Sequence, residues 1–90
     1  MIVIYGKEMC EYCDKAKEMC RQYGIEFEYF PVDDRFEGAK NMSDLKNKLM
    51  LENQIVSTVP VIWAWDKFVG GYDDLMHYIE NTREFGQERF

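Results

Sequence analysis

The run Lys7-Glu8-Met9-Cys10-Glu11-Tyr12-Cys13 decides the reading of this chain. It follows a short apolar stretch, Ile2-Val3-Ile4-Tyr5, and precedes a segment with apolar residues at helical spacing. A C-x-x-C pair at a strand-to-helix turn is a dithiol that can cycle between two thiols and a disulfide. The thiolate is the attacking species in disulfide exchange, and a free cysteine near pH 7 is mostly protonated. A cysteine at a helix N-terminus gains from unpaired N–H groups and from the helix dipole, so its pKa falls. Cys10 stands at that point. Lys7 adds positive charge upstream, while the carboxylate of Glu11 works the other way. The helix end and Lys7 are expected to prevail. Cys13, one turn further in, is expected to be less exposed. Those positions assign roles: Cys10 attacks an external disulfide, and Cys13 then attacks the Cys10 sulfur and releases the product.

Ninety residues make one domain, residues 1–90, with a single modest core. The formal charge of −6 and the absence of a Lys/Arg cluster argue against nucleic-acid binding. No apolar run approaches the roughly 20 residues that cross a bilayer, and the N-terminus has neither the basic region nor the apolar stretch of a secretory signal. The expected location is therefore the cytosol, where thiols stay reduced. Three cysteines cannot form a fully paired framework. Zinc wants four ligands, and beyond the dithiol only Cys20 and His77 offer themselves, so no metal site is expected.

The elements read β-α-β-α-β-β-α. The first strand covers residues 2–5. The first helix covers residues 11–23, with Cys13, Ala16, Cys20 and Tyr23 on one face and Gly24 as its stop. The second strand covers residues 26–32, and Pro31 puts it at a sheet edge or ends it. After a polar connection, the second helix spans residues 43–53, capped by Ser43, with Met42, Leu45, Leu49 and Met50 as its buried stripe. The third strand is residues 61–65, with Trp63 and Trp65 sharing one face. The fourth is residues 67–69, after a tight turn near Asp66. The third helix begins at Tyr72 or Asp73 and buries Tyr72, Leu75, Met76 and Ile79. In the tail 83–90, Phe85 and Phe90 either pack back onto the domain or fray. A β-α-β opening implies a parallel pair, and a β-β-α ending an antiparallel hairpin with a last helix. The result is a four-stranded mixed β-sheet flanked by three helices, the thioredoxin fold.

Two further runs carry chemistry. In Ser57-Thr58-Val59-Pro60-Val61 the proline marks a bend before the third strand. With a cis Val59–Pro60 bond, the Val59 backbone would face outward and pair with an extended thiol peptide. In Val69-Gly70-Gly71-Tyr72-Asp73-Asp74-Leu75 the glycines allow close backbone approach into the third helix. N–H groups at that helix start could hold a carboxylate, and Asp73 or Asp74 could accept from an ammonium. The plainer reading makes both aspartates helix-start stabilisers. For Cys20 the plainer reading, a small core residue, is preferred.

Together these residues resemble the glutaredoxin family. The resemblance rests on Lys7-x-x-Cys10-x-Tyr12-Cys13, Val32-Asp33-x-Arg35-x-Glu37-Gly38, Thr58-Val59-Pro60 and Gly70-Gly71-Tyr72-x-Asp74, in order along nearly the whole chain. The second stretch is most similar to small bacterial and bacteriophage glutaredoxins that reduce ribonucleotide reductase. The resemblance implies a glutathione-disulfide oxidoreductase, with glutathione as electron donor and no tightly bound cofactor. It implies Cys10 as nucleophile, Cys13 as resolving thiol and Tyr12 as a wall of the glutathione groove. Lys7 would meet the glycine carboxylate of glutathione, and Thr58 and Val59 its cysteinyl backbone. Pro60 would be the cis-proline. Tyr72, Asp73 and Asp74 would take the γ-glutamyl end. A monomer is the plain expectation.

Glu11 departs from the proline usual after the first cysteine, and Asp73 from a common Thr or Ser. Two rival readings follow. One is a thioredoxin-like carrier served by thioredoxin reductase. The other is a module holding an iron–sulfur cluster through Cys10 and glutathione, motivated by the missing proline.

Overall fold

The computed structural model describes residues 1–87, with side chains through Asn81. Its elements are β1 (Ile2–Gly6), α1 (Glu11–Gln22), β2 (Phe27–Pro31), α2 (Gly38–Leu51), β3 (Val61–Ala64), β4 (Lys67–Gly70) and α3 (Tyr72–Gln87). The sheet order is β2-β1-β3-β4. β1 pairs parallel with β2 and antiparallel with β3, and β3 pairs antiparallel with β4. This is the expected four-stranded mixed sheet with three helices, and β2 does lie at an edge.

Strand alternation divides the core between the two faces of the sheet. Ile2, Ile4, Ile62 and Ala64 face one way and pack with Ala16 and Cys20 of α1 and with Leu75 and Ile79 of α3. Tyr5, Val61 and Trp63 face the other way and pack with Leu45 and Leu49 of α2. The Tyr5 ring lies 5.4 Å from Phe30 and 5.7 Å from Trp63. Large rings thus fill the thinner side, which has a single helix over it.

Four expectations are corrected. α2 begins at Gly38, not near Ser43, because the turn before it is built by Asp34. The Asp34 carboxylate accepts from the N–H groups of Phe36 (3.0 Å) and Glu37 (2.8 Å), and its carbonyl accepts from Gly38 N–H (2.8 Å). Gly38 can enter there because a Cβ would press against the Val32 carbonyl oxygen at 2.9 Å. The earlier start also buries Asn41, whose amide donates to the Pro31 carbonyl at 2.7 Å. Second, Met50 is exposed; Leu45 and Leu49 carry the buried stripe, with Met42 beside them. Third, Tyr23 is the C-cap residue of α1 and is exposed rather than part of its buried face.

Fourth, Trp65 is not in β3. With Asp66 it forms a two-residue hairpin turn, both at positive φ (50° and 67°), the geometry that matches strand twist. Trp63 is buried on the α2 side, whereas Trp65 stacks on Tyr78 of α3 at 6.3 Å. α3 continues to Gln87, so residues 83–87 of the tail are helical. The packing of Phe85 and Phe90 lies outside the described residues.

Candidate active site

Cys10 is the N-cap residue of α1, with extended backbone (φ −118°, ψ 109°), and its sulfur accepts from the Cys13 N–H at 3.2 Å. That bond does for a sulfur what a Ser or Asp oxygen does at other helix starts: it partners one of the orphan donors of the first turn. The Cα atoms of Cys10 and Cys13 lie 5.2 Å apart and their sulfurs are in disulfide contact. Cys13 is fully buried, while Cys10 is partly exposed, the asymmetry expected of a resolving and an attacking thiol.

Cys10 Sγ also lies 4.0 Å from the Val59 carbonyl oxygen, and the Val59–Pro60 bond is cis. From there a cleft of about 400 Å³ runs along Tyr12, Thr58, Val59, Pro60, Gly71, Tyr72, Asp73 and Asp74. The Tyr12 and Tyr72 rings, 5.8 Å apart, bring the starts of α1 and α3 together as one wall. The segment before β3 forms another. Glu11 points its charge at Lys15, 3.3 Å away, and holds that ammonium above its ordinary pKa by a hydrogen bond.

At the far end, Asp74 accepts a hydrogen bond from Gly71 N–H at 2.9 Å. It is the third residue of α3 reaching back to the residue before the helix, as in a capping box. Gly70 makes room for it. At φ +123° its backbone suits glycine, and a Cβ there would collide with the Asp74 carboxylate. Asp74 therefore does stabilise a helix start, while still lining the cleft. Asp73 is exposed beside it.

The structure thus gathers Tyr12, Thr58, Val59, Pro60, Tyr72, Asp73 and Asp74 around one cleft, with the dithiol at its edge. Lys7 is not in the lining; it lies exposed in the β1–α1 loop, its carbonyl accepting from the Tyr29 hydroxyl at 3.0 Å. Gly71, named in the sequence for close backbone approach, lines the cleft. One glycine went unnamed. Gly6 sits where a Cβ would meet the Tyr29 hydroxyl at 2.7 Å and Cys13 Sγ at 2.8 Å. Its signal was a glycine closing a strand just ahead of the dithiol.

Cys20 is fully buried in the core, and burial pushes its thiol up to about 11, against a small opposing pull from Arg21. It is a core residue, as preferred. Among the described residues, no three His, Cys, Asp or Glu side chains group so as to hold a metal ion. No described helix is long and apolar enough to cross a membrane.

Comparison with known proteins agrees with this geometry. The glutaredoxin family model matches residues 2–69. The chain is 35% identical over 83 residues to glutaredoxin 1 of Escherichia coli K12, covering 89% of this chain and 93% of that one. It is 32% identical over 74 residues to glutaredoxin 3 of the same strain, covering 82% and 80%. Among solved structures, a buckwheat glutaredoxin–glutathione complex superposes with a TM-score of 0.70 at 26% identity, over 90% of this chain and 69% of that one. Glutaredoxin 1 from Francisella tularensis, complexed with cacodylate, shares the fold at a TM-score of 0.71 and 24% identity, over 92% and 95%. Motif, fold and overall similarity all converge on the strand-to-helix turn that carries the dithiol: the chain belongs to the glutaredoxin family, and its chemistry is thiol–disulfide exchange.

Proposed function

We propose that this protein is a dithiol glutathione-disulfide oxidoreductase, a single domain that takes electrons from glutathione and delivers them to disulfides in the cytosol. The carrying observation is the position of Cys10: partly exposed, at a helix N-terminus, beside the Val59 carbonyl, with a cleft leading away to two aspartates.

Glutathione fits that cleft by its chemistry. Its cysteinyl sulfur would join Cys10 while its extended backbone pairs with Val59, next to Thr58 and Pro60. Its γ-glutamyl end would reach the start of α3, where N–H groups suit the carboxylate and Asp73 and Asp74 suit the ammonium. Tyr12 and Tyr72 would flank the chain. Lys7 would swing in from the loop to meet the glycine carboxylate. The buckwheat relative that superposes on this chain is a glutathione complex, which supports the reading.

In the catalytic cycle Cys10 thiolate attacks a substrate disulfide and expels one thiolate. For a protein disulfide, Cys13 then attacks the Cys10 sulfur, expels the second thiolate and closes the intramolecular disulfide. Two glutathione molecules reopen it and leave as oxidised glutathione. Ribonucleotide reductase is a reasonable protein target, given the stretch Val32-Asp33-x-Arg35-x-Glu37-Gly38.

The test couples the protein to glutathione, glutathione reductase and NADPH. Cys10→Ser is expected to abolish NADPH consumption. Cys13→Ser is expected to keep reduction of glutathione mixed disulfides and to lose most reduction of protein disulfides. Activity that survives Cys10→Ser would refute the assignment, as would a protein reduced by thioredoxin reductase and indifferent to glutathione.

A further inference from the structure

We propose that Tyr29 and Asp33 are positioning residues for the resolving step: together they fix the loop of residues 7–9 so that Cys13 meets the Cys10 sulfur in line. The inference rests on Cys10 being the nucleophile and Cys13 the resolving thiol.

Three observations carry it. First, the loop ahead of Cys10 is tied from outside at two consecutive residues. The Tyr29 hydroxyl donates to the Lys7 carbonyl at 3.0 Å, and both oxygens of Asp33 accept from the Glu8 N–H, at 3.3 and 3.2 Å. Tyr29 lies in β2 and Asp33 just beyond its end, more than twenty residues away, so neither tie is a local turn.

Second, the next residue needs holding. Met9 has φ +55° and is almost wholly exposed, so no burial of its own side chain favours that backbone. A non-glycine residue keeps such a conformation when its surroundings over-determine it, and here the ties on Lys7 and Glu8 do so.

Third, Tyr29 lies near Cys13 and ties the loop that leads into Cys10. Its hydroxyl and Cys13 Sγ flank one small space, 2.7 and 2.8 Å from where a Cβ of Gly6 would lie. The same hydroxyl holds the loop that leads into Cys10. Tyr29 is itself braced by the Lys17 ammonium, 4.1 Å from its ring centre. Burial and the nearby acids Asp33, Asp14 and Glu8 keep its pKa above the usual value, so it stays a protonated donor.

The two half-reactions depend differently on this frame. In the resolving step Cys13 thiolate attacks the Cys10 sulfur of a mixed disulfide. The Cys10–Cys13 bond forms, the bond to the departing sulfur breaks, and the leaving thiolate takes up the proton Cys13 gave away. Both sulfurs are fixed in the protein, so the step is sensitive to small misplacements. In the one-cysteine reaction a free glutathione thiolate attacks the glutathionyl sulfur carried by Cys10, forming oxidised glutathione and expelling the Cys10 thiolate; it comes from solvent and adjusts its own path.

The experiment measures both rates. Ring closure is followed by acid quench and mass spectrometry after Cys10 has taken up a glutathionyl group. The one-cysteine rate is measured in a Cys13→Ser background. Loss of a single tying hydrogen bond in Tyr29→Phe should lower the ratio of ring closure to one-cysteine rate about fivefold. Asp33→Ala should lower the same ratio, and Asp33→Asn, which keeps an accepting oxygen, should restore most of it. Because Asp33 is exposed, its variants test the idea even where Tyr29→Phe folds poorly. An unchanged ratio overturns the inference, as does a parallel fall of both rates, the mark of a merely loosened fold. A wild-type protein that never takes up the glutathionyl group would instead overturn the underlying assignment of roles.

Discussion

Replacing Gly6 by alanine exchanges a hydrogen for a methyl group at a crowded point beside the dithiol. The new Cβ would lie 2.7 Å from the Tyr29 hydroxyl, 2.8 Å from Tyr29 Cε1 and 2.8 Å from Cys13 Sγ. None of these can retreat freely. Cys13 is buried in α1, and Tyr29 is held through its hydroxyl to Lys7 and through its ring to Lys17. Overpacking of this kind destabilises by about 1–3 kcal/mol. If Tyr29 yields, its hydrogen bond to the Lys7 carbonyl is lost for about 1 kcal/mol more. A total of about 2–4 kcal/mol lowers the melting temperature of a domain this size by roughly 10–25 °C. Gly24→Ala is the built-in comparison. Gly24 has nothing within 4 Å of its would-be Cβ, but its φ is +66°. The left-handed backbone alone costs about 1–2 kcal/mol for a side-chain-bearing residue. Thermal melts followed by circular dichroism, with wild type alongside, decide the matter. Gly6→Ala melting no lower than Gly24→Ala would refute the claim that the space between Tyr29 and Cys13 is closed.

The Cys20 thiol is raised from 9.0 to about 11 in the folded chain, so the folded state holds its proton more tightly than the unfolded state. That contribution to stability is complete below pH 9 and is lost as pH rises toward 11, amounting to about 2–3 kcal/mol by the upper end. Urea unfolding at pH 8 and pH 10.5 should show stability falling, and Cys20→Ala should show a smaller fall; an equal fall would exclude Cys20 as a cause. Asp74→Ala removes the acceptor of the Gly71 N–H at the start of α3. It should cost about 1 kcal/mol in stability and raise the KM for glutathione; an unaltered melting temperature would show that the cap carries no weight.

Much of this molecule was legible because its chemistry is local. A dithiol between a strand and a helix, a glycine at a helix end and a proline before a strand each have a physical meaning within a few residues. The cleft was legible in the same way, since Thr58, Val59, Tyr72 and Asp74 occupy motifs whose spacing survives folding. What escaped was decided by competing local turns and, in one case, across the sheet. Ser43 looked like a cap, but the turn ahead of α2 is closed by Asp34, several residues earlier. Trp65 continued an apolar alternation, yet its positive φ puts it in the turn and its ring on another helix. Asp74 serves both a helix start and a cleft, a double use that no spacing rule separates. Gly6 and Tyr29 are ordinary residues in sequence; the parallel pairing of β1 with β2 brings them together, and Cys13 reaches them from α1.

The turn between β3 and β4 has a practical corollary. Trp63 and Trp65 are near neighbours in the chain, but one is enclosed on the α2 side with its indole N–H donating to Glu52 at 3.4 Å, and the other is open to solvent against α3. The protein therefore carries two tryptophan fluorophores in contrasting surroundings. Blue-shifted emission reports the shielded layer, and acrylamide-quenched emission reports the open one. Following both during denaturation tells which side of the sheet comes apart first, with no label attached.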